Sequence, residues 1–123
     1  MYWEEWKLLN ISCKRNELRM VRGSTQTLEV RLLGPDGKPY DPLGGSVLRF
    51  GIKYDENSSG YLLKKETTEL TGGIGWFTLI PEDTLGMECG GFKYDIGLQS
   101  GELYECVVPY SDFVLVPNIT SKE

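Results

Sequence analysis

Apolar and polar side chains alternate along most of this chain, and turn-forming residues separate the alternating segments. In residues 27–32 the apolar side chains of Leu28, Val30 and Leu32 share one side, and polar side chains occupy the other; Leu33, at the end of the strand, is the exception. Successive side chains of a strand point to opposite faces of a sheet. This spacing therefore predicts a strand that is buried on one face and exposed to solvent on the other.

A turn is predicted directly after this strand. The pair Asp36-Gly37 is a strong turn signal, because glycine adopts positive φ at little cost. Pro39 and Pro42 then prevent regular strand pairing, since proline has no backbone N–H to donate.

Two later segments repeat the alternation and predict further half-buried strands of an antiparallel sheet. Their apolar members are Leu48, Phe50, Ile52 and Tyr54 in the first segment and Phe92, Tyr94, Ile96 and Leu98 in the second. Pro81 follows a strand at residues 74–80 and predicts a single helical turn or tight corner. Pro109 predicts an interruption between two final strands.

The fold class predicted from these segments is all-β. No segment places apolar residues at helical spacing over three turns, and about seven to nine short strands are separated by turns. The pattern predicts an immunoglobulin-like antiparallel β-sandwich with Greek-key connections. Residues 18–117 are predicted to form the sandwich, residues 1–17 an N-terminal arm or first strand, and residues 118–123 a frayed tail.

The composition favours one globular domain and argues against a nucleic-acid-binding surface. The chain has 123 residues and a net charge of -5, whereas phosphate binding requires clustered Lys and Arg. Glu4 and Glu5 occupy the region where a signal peptide would be positively charged, and no apolar run approaches the length of a membrane span. We therefore expect neither a nucleic-acid partner nor a membrane partner, and we expect a cytoplasmic site of synthesis.

The three cysteines are Cys13, Cys89 and Cys106. Their odd number and the absence of a Cys-x-x-Cys pair favour reduced thiols over a disulfide framework, although one disulfide plus one thiol remains an alternative. The chain contains no histidine, so a Cys–His catalytic pair is impossible within it.

Acidic residues raise the question of catalysis, because glycosidases use paired carboxylates. The candidates expected at turns are Asp36, Asp41, Asp55, Glu82, Asp83 and Asp95. Acids at such positions more often accept hydrogen bonds from nearby backbone N–H groups. Calcium binding by Asp55, Glu56 and Asn57 is an alternative, but the EF-hand spacing is missing. The sequence predicts no catalytic residue, metal ligand or cofactor.

Aromatic residues at the start of the chain are candidates for a protein interface. Tyr2, Trp3 and Trp6 precede the best-patterned segments, and tyrosine and tryptophan are enriched at protein interfaces. Packing of Trp6 in the core is the alternative interpretation. Sugar stacking is a third, in which Trp76 or Tyr110 would take part.

Several short segments, in this order, resemble the immunoglobulin-like N-terminal domain of baseplate upper proteins from phages of Gram-positive bacteria. The matching segments span residues 22–24, 28–30, 35–41 (Pro-Asp-Gly-Lys-Pro-Tyr-Asp), 50–53 (Phe-Gly-Ile-Lys), 80–84 (Ile-Pro-Glu-Asp-Thr) and 93–96 (Lys-Tyr-Asp-Ile).

The resemblance implies a non-enzymatic structural or docking module of a phage or prophage tail assembly. It implies protein partners in the virion, with further copies of the chain itself as one candidate, and a location in the bacterial cytoplasm during assembly and then in the virion. The alternative function is that of a carbohydrate-binding or adhesin-type β-sandwich.

Overall fold

The computed structural model describes residues 16–34, 36–42 and 44–117. These residues form seven strands and one short helix. The elements are β1 Leu18–Val21, β2 Gln26–Arg31, β3 Val47–Lys53, β4 Leu63–Thr67, β5 Ile74–Leu79, α1 Pro81–Leu85, β6 Gly90–Ser100 and β7 Leu103–Val116. The prediction of an all-β fold is confirmed.

The strands form two sheets that pack face to face as a β-sandwich. One sheet has five strands in the order β1-β7-β6-β3-β4, and the other consists of β2 and β5. The chain passes from one sheet to the other between β1 and β2, between β2 and β3, between β4 and β5, and between β5 and β6. These crossings give the predicted Greek-key connectivity, and β3, β6 and β7 are arranged like the C, F and G strands of immunoglobulin domains.

One strand pair departs from the predicted antiparallel arrangement. β1 runs parallel to β7, with Leu18 opposite Phe113 and Val21 opposite Val116. The backbone N–H of Arg22 extends this pairing by donating to the Val116 carbonyl at 2.9 Å. The other strand pairs are antiparallel.

The core lies between the sheets and is centred on Phe50. Its ring centroid lies 5.6 Å from that of Tyr94 in the same sheet and 5.7 Å from that of Phe77 in the opposite sheet. The predicted inward positions of β3 and β6 are confirmed, except for Tyr54. That residue follows the end of β3 and is 61% exposed, because the chain turns away from the sheet at this point.

The interruption predicted at Pro109 is wrong, because β7 continues through this residue. Pro109 and Tyr110 lie together opposite the single residue Asp95, at a position where the register between β6 and β7 shifts. A bulge leaves a residue out of the regular ladder, so a proline without an N–H group is tolerated there.

The helical turn predicted at Pro81 is confirmed as α1. Pro81 occupies the first turn of α1, where a missing backbone N–H costs nothing. The start of the helix is also held by Asp83, whose Oδ2 atom accepts the N–H of Ile80 at 2.8 Å. No helix in the described ranges has the length and apolar character needed to cross a membrane.

The thiol prediction agrees with the structure for two of the three cysteines. Cys89 and Cys106 are exposed and form no disulfide. Cys13 lies outside the described residues.

Candidate functional site

The outer face of the five-stranded sheet carries three exposed tyrosines, and we call it the tyrosine face. Tyr61 precedes β4, whereas Tyr104 and Tyr110 lie on β7. They are 51%, 59% and 39% exposed, respectively. Exposed rings on a rigid sheet can bury a large area on binding with little loss of conformational entropy.

Two glycines allow the tyrosine rings to lie close against the sheet. A Cβ atom built on Gly51 would lie 2.5 Å from Cε1 of Tyr61. A Cβ atom built on Gly97 would lie 2.3 Å from the Tyr104 hydroxyl oxygen. Any other residue at these positions would displace the rings, so the two glycines determine the shape of the tyrosine face.

Asp95 lies at the centre of this face. It is paired with Gly51 of β3 on one side, and on the other side it faces the bulge formed by Pro109 and Tyr110. The turn position expected for Asp95 is therefore wrong, because the residue lies in the middle of β6.

The environment of the Asp95 carboxylate combines partial burial with a nearby positive charge. Partial burial raises the pKa of the carboxyl group, and the charge of Lys53 opposes this rise. Within the described part of the chain, the carboxylate forms no hydrogen bond and no ion pair with another side chain. It is therefore available to accept hydrogen bonds from a ligand.

Lysine ammonium groups lie near two of the three rings of the tyrosine face. The Nζ atoms of Lys53 and Lys64 lie 4.7 Å and 5.3 Å from the ring centroid of Tyr61. Lys93 Nζ lies 5.5 Å from the ring centroid of Tyr110. Such cation–π contacts are worth about 0.5–1 kcal/mol at exposed sites.

Two ion pairs flank the tyrosine face, one on each side. Lys93 contacts the carboxylate of Asp112, and this hydrogen bond raises the pKa of the Lys93 ammonium group. Arg49 Nε lies 2.5 Å from Glu66 Oε2, and this contact lowers the pKa of the Glu66 carboxyl group.

Two adjoining cavities open on the tyrosine face. Their volumes are about 150 Å³ and about 320 Å³, and they share Gly51, Tyr61 and Asp95 in their linings. Because both cavities include Asp95, we treat them as one groove across the sheet, the Asp95 groove. The larger cavity alone reaches the lower end of the range that is usual for small-molecule sites, about 300 Å³.

The opposite side of the sandwich carries a second aromatic surface, which we call the tryptophan face. Trp76 is 45% exposed on the outer side of β5, directly opposite Glu29 of β2. Arg31 Nε donates to Glu29 Oε2 at 2.6 Å. Thr27 and Thr78 form the next outward-facing pair, with their hydroxyl oxygens 3.4 Å apart.

Several acids proposed as catalytic candidates serve the backbone instead. Asp36 accepts the N–H of Lys38 at 3.0 Å, and Asp55 accepts the N–H of Asn57 at 2.9 Å. In residues 16–34, 36–42 and 44–117, no group of three or more His, Cys, Asp or Glu side chains is placed to hold a metal ion. Asp41 and Glu82 are exposed.

The remaining aromatic candidates are divided between the two faces and the start of the chain. Trp76 and Tyr110 lie on opposite faces of the sandwich, so they cannot act in one sugar site. Tyr2, Trp3 and Trp6 lie outside the described residues, and their role as an interface stays a prediction.

The sequence interpretation did not identify Tyr61 or Tyr104 as site residues, and it considered Asp95 only as a catalytic candidate at a turn. One available signal was glycine at outward-facing strand positions, because Gly51 and Gly97 each leave room for an aromatic ring.

No protein-family model matches this chain, and no curated protein matches it either.

Proposed function

We propose that this chain is a non-enzymatic docking module of a phage or prophage tail assembly, such as a baseplate. The proposal combines the resemblance to baseplate upper proteins with the all-β sandwich fold. The resembling segments include the turn at Asp36-Gly37, where Gly37 has a φ of 77°, and the helical turn at Pro81. These segments are the turns and strands of the sandwich fold.

The observation that carries the proposal is the environment of Trp76 on the tryptophan face. A large exposed ring has polar side chains opposite it on β2 and on one side of it on β5: Glu29 and Arg31, which are ion-paired, and Thr27 and Thr78. Binding energy at protein interfaces is concentrated in a few aromatic or arginine residues that polar neighbours shield from water. The tryptophan face has this composition, and β2 and β5 hold it on a rigid two-stranded sheet.

The test is co-expression of the chain with the tail proteins encoded beside it, followed by purification of the assembly. We expect the chain to co-purify with a tail protein, and we expect Trp76→Ala to weaken this association by about 2 kcal/mol or more. Tyr110→Ala is the matched control, because it removes an exposed ring from the opposite face of the sandwich.

Thermal unfolding of both variants would establish that they remain folded. Failure of the chain to associate with any tail protein would contradict the docking function. Equal association of the wild-type chain and the Trp76→Ala variant would contradict the assignment of docking to the tryptophan face.

A further inference from the structure

We propose that the Asp95 groove on the tyrosine face is a binding site for an uncharged glycan. This inference goes beyond the docking function, because it concerns a different ligand on the opposite side of the sandwich. It depends on three properties of the groove: its aromatic walls, its central carboxylate and the balance of charges around it.

The aromatic walls provide surfaces on which a sugar ring can stack. Tyr61 and Tyr104 lie close against the sheet because Gly51 and Gly97 have no side chains, and Tyr110 projects from the bulge opposite Asp95. The apolar C–H face of a pyranose can pack on such rings, which bury area with little loss of entropy.

The central carboxylate suits a ligand that donates hydrogen bonds. Asp95 has two acceptor oxygens, and no side chain in the described ranges donates a hydrogen bond to them. Adjacent hydroxyl groups of a sugar can donate to both oxygens at once. Hydrogen bonds to an ionised carboxylate are stronger than those between neutral groups.

A cationic ligand fits this groove poorly. The ring of Tyr61 already has the ammonium groups of Lys53 and Lys64 within 5.3 Å of its centroid, and Lys93 lies 5.5 Å from that of Tyr110. A further positive charge would be repelled by these lysines, and it would compete with them for the aromatic faces.

An anionic ligand fits poorly for the converse reason. Asp55, Glu56 and Asp95 line the same cavity of about 150 Å³, and a negative charge placed there would be repelled by all three. An uncharged polyhydroxylated ligand avoids both penalties. Its hydroxyl groups can donate to Asp95 and accept from the lysine ammonium groups.

The test is binding of the purified chain to a microarray of uncharged oligosaccharides, followed by calorimetric titration of the strongest ligand. Sialylated or sulfated oligosaccharides and chitosan oligomers serve as the anionic and cationic arms. We expect saturable binding to an uncharged glycan and weaker binding in both charged arms. The affinity should change little with salt, because an uncharged ligand forms no screened ion pair.

Two variants of the groove and one control locate the site. Asp95→Asn keeps the size of the side chain but removes its charge, and it should lower the affinity about tenfold or more. Tyr104→Ala should weaken binding by a similar factor through loss of a stacking surface. Trp76→Ala, on the opposite face, should bind the glycan like the wild-type chain.

Circular dichroism and thermal unfolding would establish that each variant is folded. If Tyr104→Ala does not fold, Asp95→Asn alone is sufficient to test the location of the site. Absence of binding to every uncharged glycan would overturn the proposal, as would tighter binding in a charged arm or unchanged affinity in Asp95→Asn. None of these three results bears on the docking function, which is tested through Trp76 and a protein partner.

Discussion

Glu105 lies directly opposite Leu98 in the pairing of β6 with β7, and both side chains face the interior of the sandwich. Glu105 is 7% exposed, and its buried Oε2 atom accepts no hydrogen bond. Burial of this carboxyl group raises its pKa from 4.5 to about 7. An acid in this position is neutral when the folded protein is at low pH and must ionise inside the sandwich as the pH rises.

We predict that Glu105 makes the protein less stable as the pH increases. The folded-state pKa lies above the unfolded value, so below pH 4.5 the carboxyl group is protonated in both states and imposes no penalty. Between pH 4.5 and about 7 the unfolded chain loses this proton first, and the free energy of unfolding falls. Over the full range the loss should be about 3 kcal/mol.

Urea denaturation of the wild-type chain and the Glu105→Gln variant at about pH 4 and about pH 8 would measure this effect. Glu105→Gln has no carboxyl group to ionise in the interior, so it should lack this loss of stability. Its free energy of unfolding should therefore rise relative to that of the wild-type chain as the pH rises. Glu102→Gln, in the exposed turn of the same hairpin, is the matched control. An identical pH dependence in Glu105→Gln and the wild-type chain would contradict the prediction.

Glu105 also shows where reading of the sequence succeeds and where it fails. Alternation correctly identified the inward residues of β3 and β6, because their apolar side chains are uninterrupted. In residues 103–108, however, Tyr104 and Cys106 lie outward and Glu105 lies inward. Because the sequence predicts a break at Pro109, residues 103–108 are treated as separate from Phe113. In the structure β7 is continuous, and the buried Phe113 shows which side of this strand faces inward.

The tyrosine face could not be derived from the sequence, because it depends on pairing between distant strands. Asp95 becomes its centre only when β6 is registered with Gly51 of β3 and with the bulge at Pro109 and Tyr110. Local alternation determines which side of a strand is buried, but it does not determine which residues of different strands become neighbours.

A second prediction concerns Gly73, where the backbone of three segments comes together. Its carbonyl accepts the N–H of Leu32 at 2.7 Å, and its φ is 77°. A Cβ atom at this position would lie 2.7 Å from the carbonyl oxygen of Tyr40. Since the obstacle is backbone, it cannot rotate away, and Gly73→Ala should destabilise the protein by about 3 kcal/mol.

The neighbouring Gly72 provides the matched control for this variant. It also has positive φ, 60°, but a Cβ atom there would meet nothing within 4 Å. Gly72→Ala should therefore cost only the conformational strain, about 1 kcal/mol. Chemical denaturation of both variants would measure the difference, and equal losses would show that the close approach to Tyr40 is unimportant.

A third prediction concerns Arg22, which joins the end of β1 to the residues that end α1. Its Nε atom donates to the Met87 carbonyl at 2.6 Å, and its Nη2 atom donates to the Leu85 carbonyl. Arg22→Ala should destabilise the protein by about 2 kcal/mol, because carbonyl groups at the end of a helix lose charged donors. Arg22→Lys should restore part of this loss, since an ammonium group lacks the forked geometry of a guanidinium group.

Arg19 is the matched control, because it forms an exposed ion pair with Glu17 at 3.1 Å. Arg19→Ala should unfold close to the wild-type temperature, since exposed ion pairs contribute little to stability. A thermal denaturation series of the three variants would check the order. If Arg19→Ala and Arg22→Ala lowered the melting temperature equally, the contact with the end of α1 would have no special role.

The last prediction concerns Asp83, whose effect on stability has the opposite pH dependence to that of Glu105. Burial favours a higher pKa for the Asp83 carboxyl group, but hydrogen bonds from Lys65 and the Ile80 N–H outweigh it, and the pKa is lowered. Its stabilising contribution is thus present above the unfolded value of 3.8 and is lost as the pH falls through the folded pKa. Asp83→Asn should cost about 1 kcal/mol near neutral pH and progressively less in acid.

Urea titrations at several pH values would measure this, with the exposed neighbour Glu82→Gln as the control. A loss that did not diminish in acid would show that Asp83 acts through its shape and not through its charge.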